Sequence, residues 1–276
     1  MLGERTLVMG VLNVTPDSFS DGGVFLAPER AVEHALEMER AGADLIDVGG
    51  ESTRPGSDGI SVEEELRRVL PVLEGLRGRL GIPISIDTRK AEVAEAAVEA
   101  GAEIINDVSG LKHDPRIAKV AARRRVPLVL MHMRGEPKTM QKRPFARAVM
   151  RDVTAGLRAS ARKAMQAGVP RSQIVLDPGI GFGKSFAQNY EVLAQLGELG
   201  KLGFPLLVGS SRKGFLGATL ANDGEPLPPE ERIWGTAATV AASILGGAHI
   251  VRVHDVKEMV QVARVADCAV RAKKKD

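Results

Sequence analysis

Apolar runs in this chain end, one after another, in side chains that carry charge or strong hydrogen-bonding capacity. The ends are Asn13, the loop Glu51-Ser52-Thr53-Arg54-Pro55-Gly56, Asp87, Asn106 with Asp107, His132, Asp177, the turn Ser210 to Lys213, and Arg252 with His254. A strand leaving a core must do so at some polar residue, so any one such end has an ordinary structural reason. Recurrence at every run points instead to a shared site. Two chemistries sort out. Asp177, Asn106, Asp87 and Lys213 supply a carboxylate pair, an amide and an ammonium. That set suits a flat heterocycle with adjacent N–H donors and carbonyl acceptors, because a carboxylate accepts two parallel donors well. A pterin or a guanine-like ring answers the description. Asn13, Arg252 and His254 are cationic or amide in character and stand on the first and last runs, a combination suited to an anion.

Other motifs have plainer readings. Gly179-Ile180-Gly181-Phe182-Gly183-Lys184-Ser185 resembles a nucleotide phosphate loop, but Pro178 occupies the first required glycine position, and a Gly-x-Gly-x-x-Gly run is absent. His132 and His113 lack a His, Cys or carboxylate partner at helical ligand spacing, so zinc is not expected, and His132 reads as a hydrogen-bonded wall of the site. Met131 and Met133 flank it and have packing as their default explanation. Cys268 stands alone, which excludes a disulfide or a cysteine-rich metal site within one chain and fits a reducing cytoplasm.

These residues need a frame. β-branched and leucine-rich runs at Leu7–Thr15, Asp44–Gly49, Ile84–Thr88, Ile104–Val108, Leu128–Met133, Ile174–Asp177, Leu206–Gly209 and Ile250–His254 predict eight strands. Between them, apolar residues at three- and four-residue spacing predict helices such as Pro28 to Ala41, Val62 to Leu80, Lys90 to Ala100 and Phe145 to Ala167. Alternation of the two implies parallel pairing, and near-continuous apolar strands imply burial on both faces. Eight repeats favour a closed barrel over an open doubly wound sheet with its dinucleotide fingerprint. The expected fold class is therefore α/β, a (β/α)8 TIM barrel spanning residues 1–276 as one domain, with its chemistry at the C-terminal ends of the strands. Closure makes the first and last strands neighbours, which brings Asn13, Arg252 and His254 together. Glycines at Ala41-Gly42, Ala100-Gly101 and Gly246-Gly247 suit left-handed helix ends just before strands.

Composition bounds the rest. With 276 residues, 44% apolar and 26% charged, the chain has the length of one barrel, ~250 residues, and the balance of a soluble protein with a sizeable core. Net charge is +3, and the clearest basic run, Arg271 to Lys275, lies in a short C-terminal tail, 271–276, where a solvated end explains it better than nucleic acid does. No stretch reaches the ~20 uninterrupted apolar residues of a membrane span. The run Leu7 to Val14 is broken by Gly10 and Asn13 and lacks a signal-peptide layout. The expectation is a soluble cytoplasmic protein that binds small molecules and has neither membrane nor nucleic acid as partner.

Read as words, the strand ends resemble the dihydropteroate synthases. The first loop is similar to that family's in Met9-Gly10-Val11-Leu12-Asn13-Val14-Thr15-Pro16-Asp17-Ser18-Phe19-Ser20-Asp21-Gly22-Gly23, and the second in Gly49-Gly50-Glu51-Ser52-Thr53-Arg54-Pro55-Gly56. The likeness continues through Ser85-Ile86-Asp87-Thr88, Ile105-Asn106-Asp107-Val108-Ser109-Gly110, Met131-His132-Met133, Asp177 to Lys184, Gly209 to Gly214 and Arg252-Val253-His254-Asp255, in order along the whole chain. The resemblance implies that Asp177, Asn106, Asp87 and Lys213 hold a pterin, with Met131 and Phe182 lining its pocket, and that Asn13, Arg252 and His254 hold a diphosphate. It implies a magnesium ion on Asn13. It also implies that Phe19, Thr53, Arg54, Pro55 and Ser211 shape a p-aminobenzoate site, the one that sulfonamides target. Gly214 stands where many members carry serine and Arg134 where many carry glutamine; neither position has a named catalytic role. A homodimer through late barrel helices is implied too, and the alanine-rich stretch Thr236 to Leu245 suits either that interface or burial against the barrel.

The implied reaction joins 6-hydroxymethyl-7,8-dihydropterin diphosphate to p-aminobenzoate, giving 7,8-dihydropteroate and diphosphate in folate synthesis. The amine of p-aminobenzoate is delocalised toward its carboxylate and is a poor nucleophile, so early loss of diphosphate is expected, with Asp87, Lys213, Arg252 and His254 as the catalytic groups. Two other readings share the pocket. A methyltetrahydrofolate-dependent corrinoid methyltransferase has the barrel and a pterin site but no use for a diphosphate clamp, and a non-catalytic pterin-binding paralogue would not need every group retained.

Overall fold

A computed structural model describes residues 3–15, 27–52, 56–136, 138–140 and 147–273. Its strands are β1 (Leu7–Asn13), β2 (Leu45–Gly49), β3 (Ile84–Asp87), β4 (Ile104–Asp107), β5 (Leu128–Met131), β6 (Ile174–Asp177), β7 (Leu207–Val208) and β8 (Ile250–Val253). The helices between and after them are α1 (Ala27–Arg40), α2 (Val62–Leu76), α3 (Ala91–Glu99), α4 (Ile117–Arg124), α5 (Val149–Gln166), α6 (Phe186–Ala194), α7 (Leu196–Gly200), α8 (Gly214–Thr219), α9 (Ile233–Leu245) and α10 (Val256–Lys273).

All ladders are parallel, in the order β6-β5-β4-β3-β2-β1-β8-β7, and β1 pairs with both β2 and β8. A parallel bridge between Leu176 and Leu206 and the Leu176 N–H to Pro205 carbonyl bond of 2.9 Å join β6 to β7 and close the ring. The fold is the (β/α)8 barrel. Each expected strand is present, and most are shorter by a residue or two at the polar end. The seventh keeps only Leu207 and Val208: Pro205 has no N–H to give, and the Leu206 N–H donates to His249 Nδ1 at 3.2 Å. The helix expected to reach Leu80 stops at Leu76, where Gly78 enters the left-handed region at φ 70°. Gly42, Gly101 and Gly247 have φ of 100°, 118° and 99°, as their places before strands predict. The helix α10 runs into the basic segment as far as Lys273. Among the described residues no helix is long and apolar enough to cross a membrane.

Two apolar layers hold the barrel. The larger lies between strands and helices and includes Leu12, Ile46, Ile86, Ile105, Leu128 and Leu176, all fully buried against helix residues such as Val69, Leu73 and Leu157. The smaller, of Leu7, Met9, Leu45, Val129, Val175, Leu207 and Ile250 with Ile104 packed on it, draws on strands from all round the ring and so fills its interior. Strand side chains alternate between faces, so the residue two places on from each of these also points inward. Among those residues are Asp47, Asn106, Met131, Asp177 and Arg252. The plug is apolar at the N-terminal end and polar above it.

Truncating Ile86 to Ala removes a fully buried side chain from the outer layer and should cost about 2–5 kcal/mol of unfolding free energy. Urea unfolding at fixed pH measures it.

Candidate active site

Four inward-facing strand residues meet above the plug. The Oδ2 atom of Asp47, a residue with no solvent exposure, accepts from Arg252 Nε at 2.6 Å and from Asn106 Nδ2 at 2.9 Å. Arg252 Nη2 donates to Asp87 Oδ2 at 2.8 Å. Asn106 Oδ1 and Asp47 Oδ1 are buried and have no hydrogen-bond partner among the described residues. Buried polar atoms are ordinarily paired, so an orphan carbonyl oxygen facing a site is a place for a ligand donor. On the other wall Asp177 Oδ1 accepts the Gly179 N–H at 2.7 Å, and Lys213 Nζ stands 4.0 Å from the centre of the Phe182 ring. Met131 and Phe182 pack with Val108, Met133 and Met140 into a separate apolar cluster, which gives the pocket a greasy side beside its polar one.

Burial dominates the electrostatics. It pushes the Asp87 carboxyl up to about 7, outweighing the attraction of Arg252. It raises Asp177 to about 6 despite the Gly179 N–H and the Lys213 charge. It pulls the Lys213 ammonium down to about 8, with the nearby Arg252 charge acting in the same direction. Titratable groups with opposed shifts in one pocket mark a functional site.

The second corner is electropositive. His254 Nδ1 lies 3.0 Å from Ser211 Oγ, and its backbone N–H donates to the same hydroxyl. Burial first, and then the charges of Arg252, Arg212 and Lys213, push the His254 ring down to about 3, so it is neutral near pH 7. The three cationic neighbours that add to this shift would attract an anion. Asn13 ends β1 beside β8, and its amide makes no side-chain hydrogen bond among the described residues.

Several groups that hold this arrangement were not singled out from sequence. Asp47 is the first; its signal was the two-residue step from Leu45, which puts a carboxylate on the inner face of β2. Arg212, inside the turn Ser210 to Lys213 that the sequence did mark, has a left-handed φ of 58° that costs a non-glycine residue ~1 kcal/mol or more. Three contacts hold it there: its N–H to Thr236 Oγ1 at 3.1 Å, its guanidinium on Asp255, and its carbonyl under Arg232 Nη1 at 2.9 Å. Glu51, at the root of the second loop, is gripped by Arg89 and Lys90 at the end of β3. His132 Nδ1 lies 3.2 Å from Lys184 Nζ, and its ring is held neutral by burial, its pKa lowered to about 2. It is a wall residue. Phe19, Thr53, Arg54 and Pro55 lie outside the described residues. The two groups sorted apart by chemistry are joined in space, since Arg252 of the anion set is bonded to Asp87 of the heterocycle set.

Comparison with known proteins agrees with this geometry. The family model for pterin binding enzyme matches residues 9–254. The dihydropteroate synthase of Synechocystis sp. is 51% identical over 96% of this chain and 90% of its own length. The crystal structure of the Clostridium difficile dihydropteroate synthase in the presence of pteroic acid superimposes with a TM-score of 0.90 at 46% identity, covering 97% of this chain and 98% of that one. The Xanthomonas albilineans dihydropteroate synthase in complex with 7,8-dihydropteroate gives 0.87 at 43% identity, covering 99% and 95%. With a family-wide match over nearly the whole barrel, the chain belongs to the pterin-binding enzymes and, among them, to the dihydropteroate synthases.

Proposed function

We propose that this single barrel domain condenses 6-hydroxymethyl-7,8-dihydropterin diphosphate with p-aminobenzoate by a route in which diphosphate leaves early. One observation carries the residue assignment: the buried, unpartnered Asn106 Oδ1 stands in a pocket with Asp87, Asp177 and Lys213, the donor and acceptor set a pterin edge requires. Asp177 and Asn106 accept the ring N–H groups, Lys213 donates to a ring acceptor, and Met131 and Phe182 hold the faces. Asn13, Arg252 and His254 take the diphosphate. Ser211, with Phe19, Thr53, Arg54 and Pro55, forms the p-aminobenzoate side, which is also where a sulfonamide would compete.

In the reaction the bond from the pterin methylene carbon to the diphosphate oxygen breaks, and its electron pair leaves with the diphosphate. Asp87 and Asp177 favour the cationic ring that results, while Arg252 and the N–H of neutral His254 favour the departing anion. The aniline nitrogen then bonds to the methylene carbon and releases a proton to solvent. Among the described residues no group of three or more His, Cys, Asp or Glu side chains is placed to hold a metal ion. Asn13 alone suits a hard ion that takes most of its oxygen ligands from phosphate and water, as magnesium does. Bound there, magnesium would offset diphosphate charge. The face of α9 carrying Thr236, Val240 and Ile244 is buried against the barrel, whereas Trp234 at 79% and Leu245 at 48% exposure remain outside it, and these support a homodimer through the late helices. A cytoplasmic location is part of the same reading.

Turnover of the pterin diphosphate with radiolabelled p-aminobenzoate tests the activity, and absence of labelled dihydropteroate overturns it. Early departure is checked separately. Substrate carrying 18O in the bridging position, incubated without p-aminobenzoate, should scramble the label into non-bridging positions before it is consumed, and retention of the label would count against early cleavage.

Asp177→Asn keeps an acceptor for the Gly179 N–H but removes the charge. Because the folded-state pKa is raised from 3.8 to about 6, the native chain holds this proton more tightly than the unfolded one. Stability present below pH ~4 is therefore lost as pH rises through about 6. The variant should melt higher than the parent at pH 8 and like it at pH 4, while its affinity for a free pterin falls about tenfold to hundredfold. Calorimetric melting and pterin fluorescence titration measure the two effects.

A further inference from the structure

The segment Gly179 to Ser185, which imitates a phosphate loop in composition, uses its lysine differently. Ser185 caps α6 through a reciprocal bond pair with Gln188. Lys184 turns inward and is 1% exposed. Its Nζ donates to the Gly179 carbonyl at 2.7 Å and lies 3.2 Å from the Phe182 carbonyl, 3.4 Å from the His132 carbonyl and 3.2 Å from His132 Nδ1. Donation to Nδ1 assigns the ring proton to Nε2. Among the described residues no carboxylate lies within ion-pair distance of this group, and burial pulls its ammonium down to about 7. An apolar chain would fill the same space without the cost of desolvating a charge.

Two of the four acceptors, the Gly179 and Phe182 carbonyls, belong to the loop itself, and the other two to His132. Gly179, Gly181 and Gly183 all take positive φ, and a Cβ at Gly179 would stand 2.0 Å from the His132 carbonyl oxygen and one at Gly183 2.2 Å from that of Arg134. The loop therefore lies against the segment that follows β5 with no slack. Its inward carbonyls converge on Lys184, the Gly179 carbonyl also accepting the Phe182 N–H at 3.1 Å, while two other N–H groups point away: Gly179 to Asp177 Oδ1 at 2.7 Å and Gly181 to Asn189 Oδ1 at 2.6 Å. On the outer side the Phe182 ring covers Lys213 Nζ. We propose that Lys184 is a positioning residue whose buried ammonium gathers the Gly179 and Phe182 carbonyls and so sets both the Gly179 N–H on Asp177 and the Phe182 ring beside Lys213 for pterin binding. This rests on the pterin site assigned above.

Lys184→Met keeps chain length and removes only the charged head. In the intact enzyme the dissociation constant of a free pterin should rise about tenfold, as expected when a charged hydrogen-bond donor is lost, with KM for p-aminobenzoate within about twofold of the parent. Because Lys184 acts in part through Phe182, the Lys184→Met, Phe182→Ala double variant should lose less affinity than the two single losses combined. A folded Lys184→Met enzyme with parental pterin affinity, or full additivity in the cycle, overturns the proposal. Should the methionine variant fail to fold by circular dichroism, Lys184→Gln, which retains two N–H donors, must show a smaller loss in the same direction, and parental affinity there is equally fatal. Asp177→Asn serves as control: unchanged pterin affinity in that variant overturns the site assignment itself rather than the part given to Lys184.

Discussion

One oxygen atom, Oδ2 of Asp47, ties the pocket together. It accepts from the guanidinium on β8 and from the amide on β4 at the same time, and the guanidinium passes on to Asp87 of β3. A solvent-free carboxylate is tolerable only with charged and hydrogen-bonded partners, so the network is mutually dependent: Asp47 needs Arg252, and Arg252 is held flat between two acidic groups by needing both. The amide of Asn106 is orientated by its bond to Asp47, which leaves its oxygen turned to the pocket. Under the proposed assignment, heterocycle and anion recognition would share this anchor, with Arg252 as the side chain that joins the two ends.

The barrel makes such a network possible by being dry underneath. The apolar plug from Leu7 to Ile250 closes the interior below the polar residues, and the cluster of Met131, Met133, Met140 and Phe182 shields one side. Low dielectric then raises Asp87 and Asp177 and lowers Lys213. These shifts are a cost in folding free energy, and the left-handed Arg212 adds another. Both are offset by the large layer between strands and helices, the usual division of labour between scaffold and site.

Most of this was legible in the residues. The eight runs gave the strands because parallel barrel strands are buried on both faces, and their polar exits named Asp87, Asn106, Asp177, Lys213, Arg252 and His254. Asp47 escaped because it is not an exit: it lies mid-strand, two residues before Gly49, and only the alternation from Leu45 reveals its direction. Lys184 was read through its resemblance to a phosphate-binding lysine, and its inward turn depends on glycine conformations that spacing does not show. The bond from Arg252 to Asp87 was hidden for another reason. Side-chain chemistry sorts charges by the ligands they suit, whereas opposite charges in a small dry space find each other.

The short seam between β6 and β7 has a consequence for how the cylinder resists strain. Every other joint is stitched by a ladder, but here a single bridge and a two-residue strand carry the hoop. Asp177 ends one side of that joint and Lys213 follows the other, so a flat ring gripped by both would span the gap like a rivet. The molecule bound for its chemistry would then double as a missing rung, tightening the barrel where its own backbone is thinnest.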